Sequence, residues 1–213
     1  MKKLIIATTL SGLFIKSDPW KKAHILWFEK VAEKLQDSSV RGWANRQDYF
    51  NGVDIVMRRL YPDLSEEKRT IKAREAYFDS VCEYIKENPQ ILNKEIIDYF
   101  LSLKDKYKIM LVTTNTKDKI GRILSITNLA NLFDAIEASN PEEKDDKGIV
   151  FDRFLKKYGK PVLYLGTDRK ESFDYCKKNK IHCIFANLEF QENIEGVDTV
   201  HNFGELKEKI ENL

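Results

Sequence analysis

Three short apolar runs in this chain each end in small polar residues suited to holding an anion. Residues 4–7 lead into Thr8-Thr9-Leu10-Ser11-Gly12-Leu13, residues 109–112 into Thr113-Thr114-Asn115, and residues 161–165 into Gly166-Thr167-Asp168. The Thr114 hydroxyl and the backbone amides after it, Asn115 included, can hold a phosphate or another anion. Capping of a helix that starts near Asp118 asks for the same geometry, and the two roles can coexist. Lys147, or its rival Lys144, can add a point charge. No Asp or Glu stands between Met1 and Ser17, so the first run ends without a carboxylate. A threonine hydroxyl there needs an adjacent base to act as a nucleophile, and leucine transfers no proton. His24, His182 and His201 form no ligand cluster, and no Cys–His or Ser–His–Asp pattern is present.

Such run ends meet only if a sheet brings them to one edge. Apolar runs of four to six residues predict strands at 4–7, 108–113, 135–138, 162–165, 182–185 and 199–200. Helical segments alternate with them at 118–129, 147–158, 170–179 and 205–211, the last opened by a capping box at Asn202-Phe203-Gly204-Glu205. Near-continuous apolar strands alternating with helices predict an α/β fold, a doubly wound parallel sheet covered on both faces. Ligands of such sheets sit at the carboxyl ends of the strands, where the polar residues fall.

Between the first strand and the rest, the pattern is helical. Asp18-Pro19 reads as a helix start, with Ile25, Phe28, Val31, Ala32 and Leu35 at helical spacing. A second helix is expected over 43–60, and a capping box at Asp63-Leu64-Ser65-Glu66 opens a third that Asn88-Pro89 stops. Asn93 starts another. The expected division is a core domain of 1–16 and 107–213 with an inserted α-helical domain at 17–106. Trp20, Trp27 and Trp43 read as core of the insertion.

Composition narrows the partners. Charged residues make up 33% of the chain, but the net charge is only +2, which argues against a nucleic-acid footprint. No run approaches the ~20 apolar residues of a membrane span. The basic start and apolar stretch 4–15 imitate a secretory signal, yet no small-x-small site precedes Lys16, and the sheet needs a strand here. Cys82, Cys176 and Cys183 are odd in number and form no C-x-x-C pair. They read as free, buried thiols of a cytoplasmic protein without structural zinc.

The three strand ends, the lysine near 147 and the helical insertion after the first strand together resemble the haloacid dehalogenase-like (HAD) hydrolase superfamily over nearly the whole chain. That superfamily moves phosphoryl groups, less often halogens, through an aspartyl intermediate. The resemblance implies a Rossmann-like core with a helical cap and puts Thr8 at the place of the nucleophilic aspartate and Leu10 at that of the acid–base. Thr114 falls on the phosphate-binding hydroxyl, Lys147 on the lysine, Thr167 on a metal-binding aspartate and Glu171 on a second carboxylate. Asp168 is displaced by one residue and reads better as a helix cap. Mg²⁺ needs carboxylate oxygens in a near-octahedral set, so no cofactor is expected, with Asp168 and Glu171 the weak metal candidates. The implied protein keeps an anion-binding frame of Thr114, Asn115 and Lys147 and binds a phosphorylated small molecule or a protein partner without turnover. Two alternatives stay open. One is an active hydrolase with a rearranged site drawing on Asp168, Glu171, Asp18 or Asp48. The other is a structural subunit with a vestigial pocket.

Overall fold

The computed structural model describes residues 3–46, 48–140, 143, 146–167, 169–189 and 192–213. Among them, six parallel strands form one sheet in the order β3-β2-β1-β4-β5-β6. The strands are β1 (Leu4–Thr8), β2 (Tyr107–Thr116), β3 (Ala135–Ser139), β4 (Leu163–Gly166), β5 (Cys183–Ala186) and β6 (Asp198–Val200). The expected strands are all present, and β2 runs three residues further than expected, through Thr114 and Asn115. β1 lies at the centre, with Thr8 opposite Leu111 on one side and Leu165 on the other. Chain order reverses direction across β1 and β4, the place where such sheets open a crevice at their carboxyl ends.

Side chains alternate across the sheet. Ile5 and Ala7 of β1, Met110 and Val112 of β2, Tyr164 of β4 and Phe185 of β5 share one core cluster. Against them pack Val150, Phe151 and Phe154 of α6 (Lys147–Tyr158) and Phe173 and Cys176 of α7 (Lys170–Lys178). Each fully buried Phe-sized side chain contributes about 1.5–3 kcal/mol. Ile6, Ile109, Leu111, Leu163 and Leu165 are just as buried and face the other way. α5 (Lys117–Thr127) joins β2 to β3, and α8 (Phe203–Glu211) follows β6. Of the capping box read at its start, the Asn202 cap is formed, with the Glu205 N–H donating to Asn202 Oδ1 (3.0 Å), while the Glu205 carboxylate accepts the N–H of His201, one residue before the cap (2.7 Å).

The chain divides into two compact units, Met1–Lys16 with Gln90–Leu213, and Ser17–Pro89. The division falls earlier than the 106/107 boundary read from the sequence. α4 (Lys94–Ser102) groups with the sheet because its Phe100 packs edge-on against Phe14, ring centroids 5.0 Å apart. The same stretch is tied down by Lys16 N–H to Ile91 O (3.0 Å) and Asn93 N–H to Phe14 O (2.9 Å).

In the helical unit, α1 (Asp18–Leu35) starts one residue before its proline. Asp18 is the first helical residue rather than the cap, and it pairs with Lys22 at 3.5 Å. The expected helix over 43–60 is two elements: a 3₁₀ segment, Ser38–Asn45, and α2 (Tyr49–Leu60). Arg46 between them is extended (φ −94°, ψ 147°). This break lets the Trp43 ring fold back onto Gly52, where an added Cβ would lie 2.4 Å from the ring. α3 (Glu66–Glu87) starts two residues later than the capping box at Asp63–Glu66 implied: its cap is Ser65, whose hydroxyl accepts the Lys68 N–H, rather than Asp63. Of the three tryptophans, Trp27 is fully in the core of this unit, with Trp43 packed against its edge. Among the described residues no helix is long and apolar enough to cross a membrane.

Candidate functional site

Because β1, β2 and β4 are parallel neighbours, the polar ends of all three reach the same edge of the sheet. The end of β1 is closed. Thr8 is wholly buried, and its hydroxyl donates to the Met110 carbonyl at 3.4 Å. Leu10 is buried too, and its carbonyl accepts the N–H groups of Phe14 (3.1 Å) and Ile15 (3.3 Å) in a tight turn. The turn depends on Gly12, which sits at φ +76°, a conformation that costs an L residue about 1–2 kcal/mol. A Cβ at Gly12 would also come within 2.9 Å of the Thr167 Cβ.

Thr167, just past β4, is 2% exposed, and its hydroxyl donates to the Ser11 carbonyl at 2.7 Å. This bond joins the ends of β1 and β4 across the crevice. Sequence reasoning placed Thr167 on the edge but missed the bond, since nothing local links residues so far apart in the chain.

On β2, Thr114 is half-buried and lies where the pairing with β3 shifts register, between Thr113 and Thr116, so strand alternation does not fix its side. The Thr113 hydroxyl accepts the Asn115 N–H at 3.2 Å. That amide, offered to an anion in the sequence reading, is therefore engaged by its own strand. Lys147 opens α6 and is buried, 6% exposed, with its ammonium 5.3 Å from the centre of the Tyr164 ring. The aromatic face gives the charge a favourable neighbour. Lys144 and Asp168 lie outside the described residues. Glu171 is exposed in the first turn of α7, turned to solvent rather than inward.

Two further hydroxyls belong to this edge and gave no signal in the sequence. Ser139 ends β3 on the α6 side, the side on which Glu137 meets Arg153 of α6 at 3.0 Å. Ser172 lies in the first turns of α7, packed beside Phe173. Both are buried, and among the described residues neither hydroxyl has a hydrogen-bond partner. Buried hydroxyls left this way cost about 1–3 kcal/mol, a penalty that a polar ligand or water relieves. Ser139, Lys147 and Ser172 thus offer two buried hydroxyls and one cation at the end of β3 and the starts of α6 and α7, with half-buried Thr114 at the irregular end of β2. Among the described residues no group of three or more His, Cys, Asp or Glu side chains converges to hold a metal ion.

No family model matches the sequence, and no curated protein matches it. Solved structures do match. A haloacid dehalogenase-like hydrolase of Streptococcus pneumoniae superposes with a TM-score of 0.64 at 18% identity over 98% of each chain. A protein described as a predicted phosphatase, from Clostridium acetobutylicum, gives 0.64 at 19% identity over 100% of each chain. A HAD phosphatase of Thermococcus onnurineus gives 0.65 at 16% identity over 97% of each chain. The chain therefore has the α/β fold of the haloacid dehalogenase-like hydrolases.

Proposed function

We propose that this protein binds a phosphorylated small molecule at the carboxyl edge of its sheet and does not hydrolyse it. In this reading the unit Ser17–Pro89 serves as the cap, and the protein works in the cytoplasm. The observation that carries the reading is the Thr167–Ser11 bond of 2.7 Å. Where the resemblance asks for a metal-binding carboxylate, a buried hydroxyl is already engaged in holding two strand ends together. Thr8, at the place of the nucleophile, is likewise buried and bonded to backbone. The described residues therefore do not fit Mg²⁺, which wants one or two carboxylates and ordered waters. Enzymatic phosphomonoester hydrolysis needs up to ~10²¹-fold acceleration, and positioning by Lys147 and hydroxyls cannot replace nucleophile and metal together.

The binding half rests on charge and hydrogen bonding. The positive charge of buried Lys147 and the Ser139 and Ser172 hydroxyls, which have no hydrogen-bond partner among the described residues, suit a compact, charged oxyanion.

The test pairs two measurements on the protein and on Lys147→Ala. Phosphomonoester hydrolysis is assayed with and without Mg²⁺, and inorganic phosphate binding is measured by calorimetry. No turnover by either protein, with phosphate affinity about 10-fold weaker in the variant, is expected from loss of one charge-assisted contact. Mg²⁺-dependent turnover that falls in Lys147→Ala would overturn the reading and favour a rearranged hydrolase. Absence of both turnover and phosphate binding would point to a structural subunit with a vestigial pocket.

A further inference from the structure

The three cysteines are not equivalent, and two of them meet. Cys183 sits on β5 opposite Tyr164 of β4, so its side chain shares the Tyr164 face, the one α7 covers. Cys176 is on the buried side of α7, in the same cluster as Tyr164, Ile181 and Phe185, with Cys183 packed against it. The chain between them turns tightly: the Ile181 N–H donates to the Cys176 carbonyl at 2.8 Å, and Lys180 takes φ +52°. Both thiols therefore lie in the packing between α7 and β5, close enough that each perturbs the other's titration. All three cysteines are reduced in the structure.

We propose that Cys176 and Cys183 form a redox-active dithiol that closes reversibly into a disulfide by exchange with a low-molecular-weight disulfide. Cys183 is half-buried and Cys176 fully buried, so Cys183 is the attacking thiol. The hydrogen bond from Cys176 holds the Cys183 thiol below the usual range, with Lys177 adding to it against burial and Asp198. The same contact and burial push Cys176 up, opposed by the charge of Lys147.

The steps balance. The Cys183 thiolate attacks one sulfur of the small disulfide, forming a mixed disulfide and releasing one small thiolate. Cys176 then gives up its proton, attacks the Cys183 sulfur and expels the second thiolate. Two cysteine sulfurs are oxidised by two electrons, and two small thiols are the reduced product. The bond needs ~2.05 Å between the sulfurs, and both cysteines already belong to the packing between α7 and β5. It staples α7 to β5 within the cluster that contains Tyr164, the ring beneath the Lys147 ammonium.

The test uses the whole chain in glutathione buffers running from fully reduced to fully oxidised. Samples are quenched with acid and an alkylating reagent and mapped by mass spectrometry. Expected at the oxidised end is a loss of about 2 mass units, a linked peptide pair carrying Cys176 and Cys183, and Cys82 alkylated throughout. Dithiothreitol should restore both thiols. Cys176→Ala should stop at a stable glutathione adduct on Cys183. Cys183→Ala should leave Cys176 unmodified, with circular dichroism confirming that each variant folds. A persistent adduct on Cys183 in the unaltered protein, or thiols that stay alkylatable at the oxidised end, would overturn the proposal. An adduct on Cys176 in Cys183→Ala would overturn the order of attack.

Discussion

At the scale of single residues, the end of β1 is defined by one hydroxyl and one missing side chain. Thr167 reaches the Ser11 carbonyl, and Gly12 leaves room for it. Thr167→Val keeps the shape but strips the buried carbonyl of its donor, so a loss of about 1–3 kcal/mol in urea unfolding is expected. Gly12→Ala adds a methyl both to a left-handed backbone and against Thr167, and about 2–4 kcal/mol is expected to be lost. A neutral result for Gly12→Ala would mean that the turn relaxes and the bond is not what sets it. The polar character of these strand ends was legible in the sequence, because hydroxyl and glycine types stand out after an apolar run. The bond between them was not, since it joins positions brought together only by β1–β4 pairing. Ser139 and Ser172 stayed hidden for a related reason: a serine signals nothing until its burial is known.

At the scale of elements, periodicity carried most strands and helices of the sheet-bearing unit, and capping chemistry carried the start of α8 but put the cap of α3 two residues early. It failed where tertiary packing overrides a helical pattern. Residues 43–60 look continuous, but the Trp43 ring claims the space above Gly52, and the helix breaks at Arg46. There the guanidinium lies 4.3 Å from the centre of the Trp43 ring and hydrogen-bonds Asp48 at 2.8 Å. This gives a prediction whose sign is informative. In an open helix, Gly→Ala stabilises by about 1 kcal/mol. Gly52→Ala is instead expected to destabilise by about 1–3 kcal/mol, because the ring must move. Thermal unfolding of the variant measures this directly, and a raised Tm would show that Trp43 does not hold the site.

At the scale of the whole molecule, each unit carries a tyrosine that makes it sensitive to alkali. Burial, with Tyr49 assisting, pushes Tyr77 of the helical unit up to about 12, and its hydroxyl donates to the Trp20 carbonyl at 2.9 Å. In the sheet-bearing unit Tyr99 is also pushed up to about 12, again by burial first. A raised folded value means the contribution is complete below the unfolded tyrosine value of about 10 and is lost as pH climbs toward 12. Stability should therefore fall across that window, and Tyr77→Phe should recover about 2 kcal/mol of the loss at its upper end. Urea midpoints collected from pH 8 to 12 on both proteins test this. Acid acts through Asp37, held low by the Ser39 and Arg59 hydrogen bonds, and through Asp48, held low by Arg46. Their contributions are present above the unfolded carboxylate range near 4 and fade as pH falls through the lower folded values.

The fold class was readable at this scale from the alternation of short apolar runs with helices. The unit boundary was not, because the Phe14–Phe100 contact that claims α4 has no local signature. The position of β1 also governs how the molecule is made. Leu4 pairs with Tyr107 and Ile6 with Leu163, so the central strand leaves the ribosome long before either neighbour. At about 5–20 residues per second, roughly 100 residues of synthesis leave β1 unpaired for several seconds. The sheet is therefore a high-contact-order structure around a strand that must wait. A nascent chain halted before Tyr107 emerges carries an apolar segment with nothing to pair with, a natural target for chaperones.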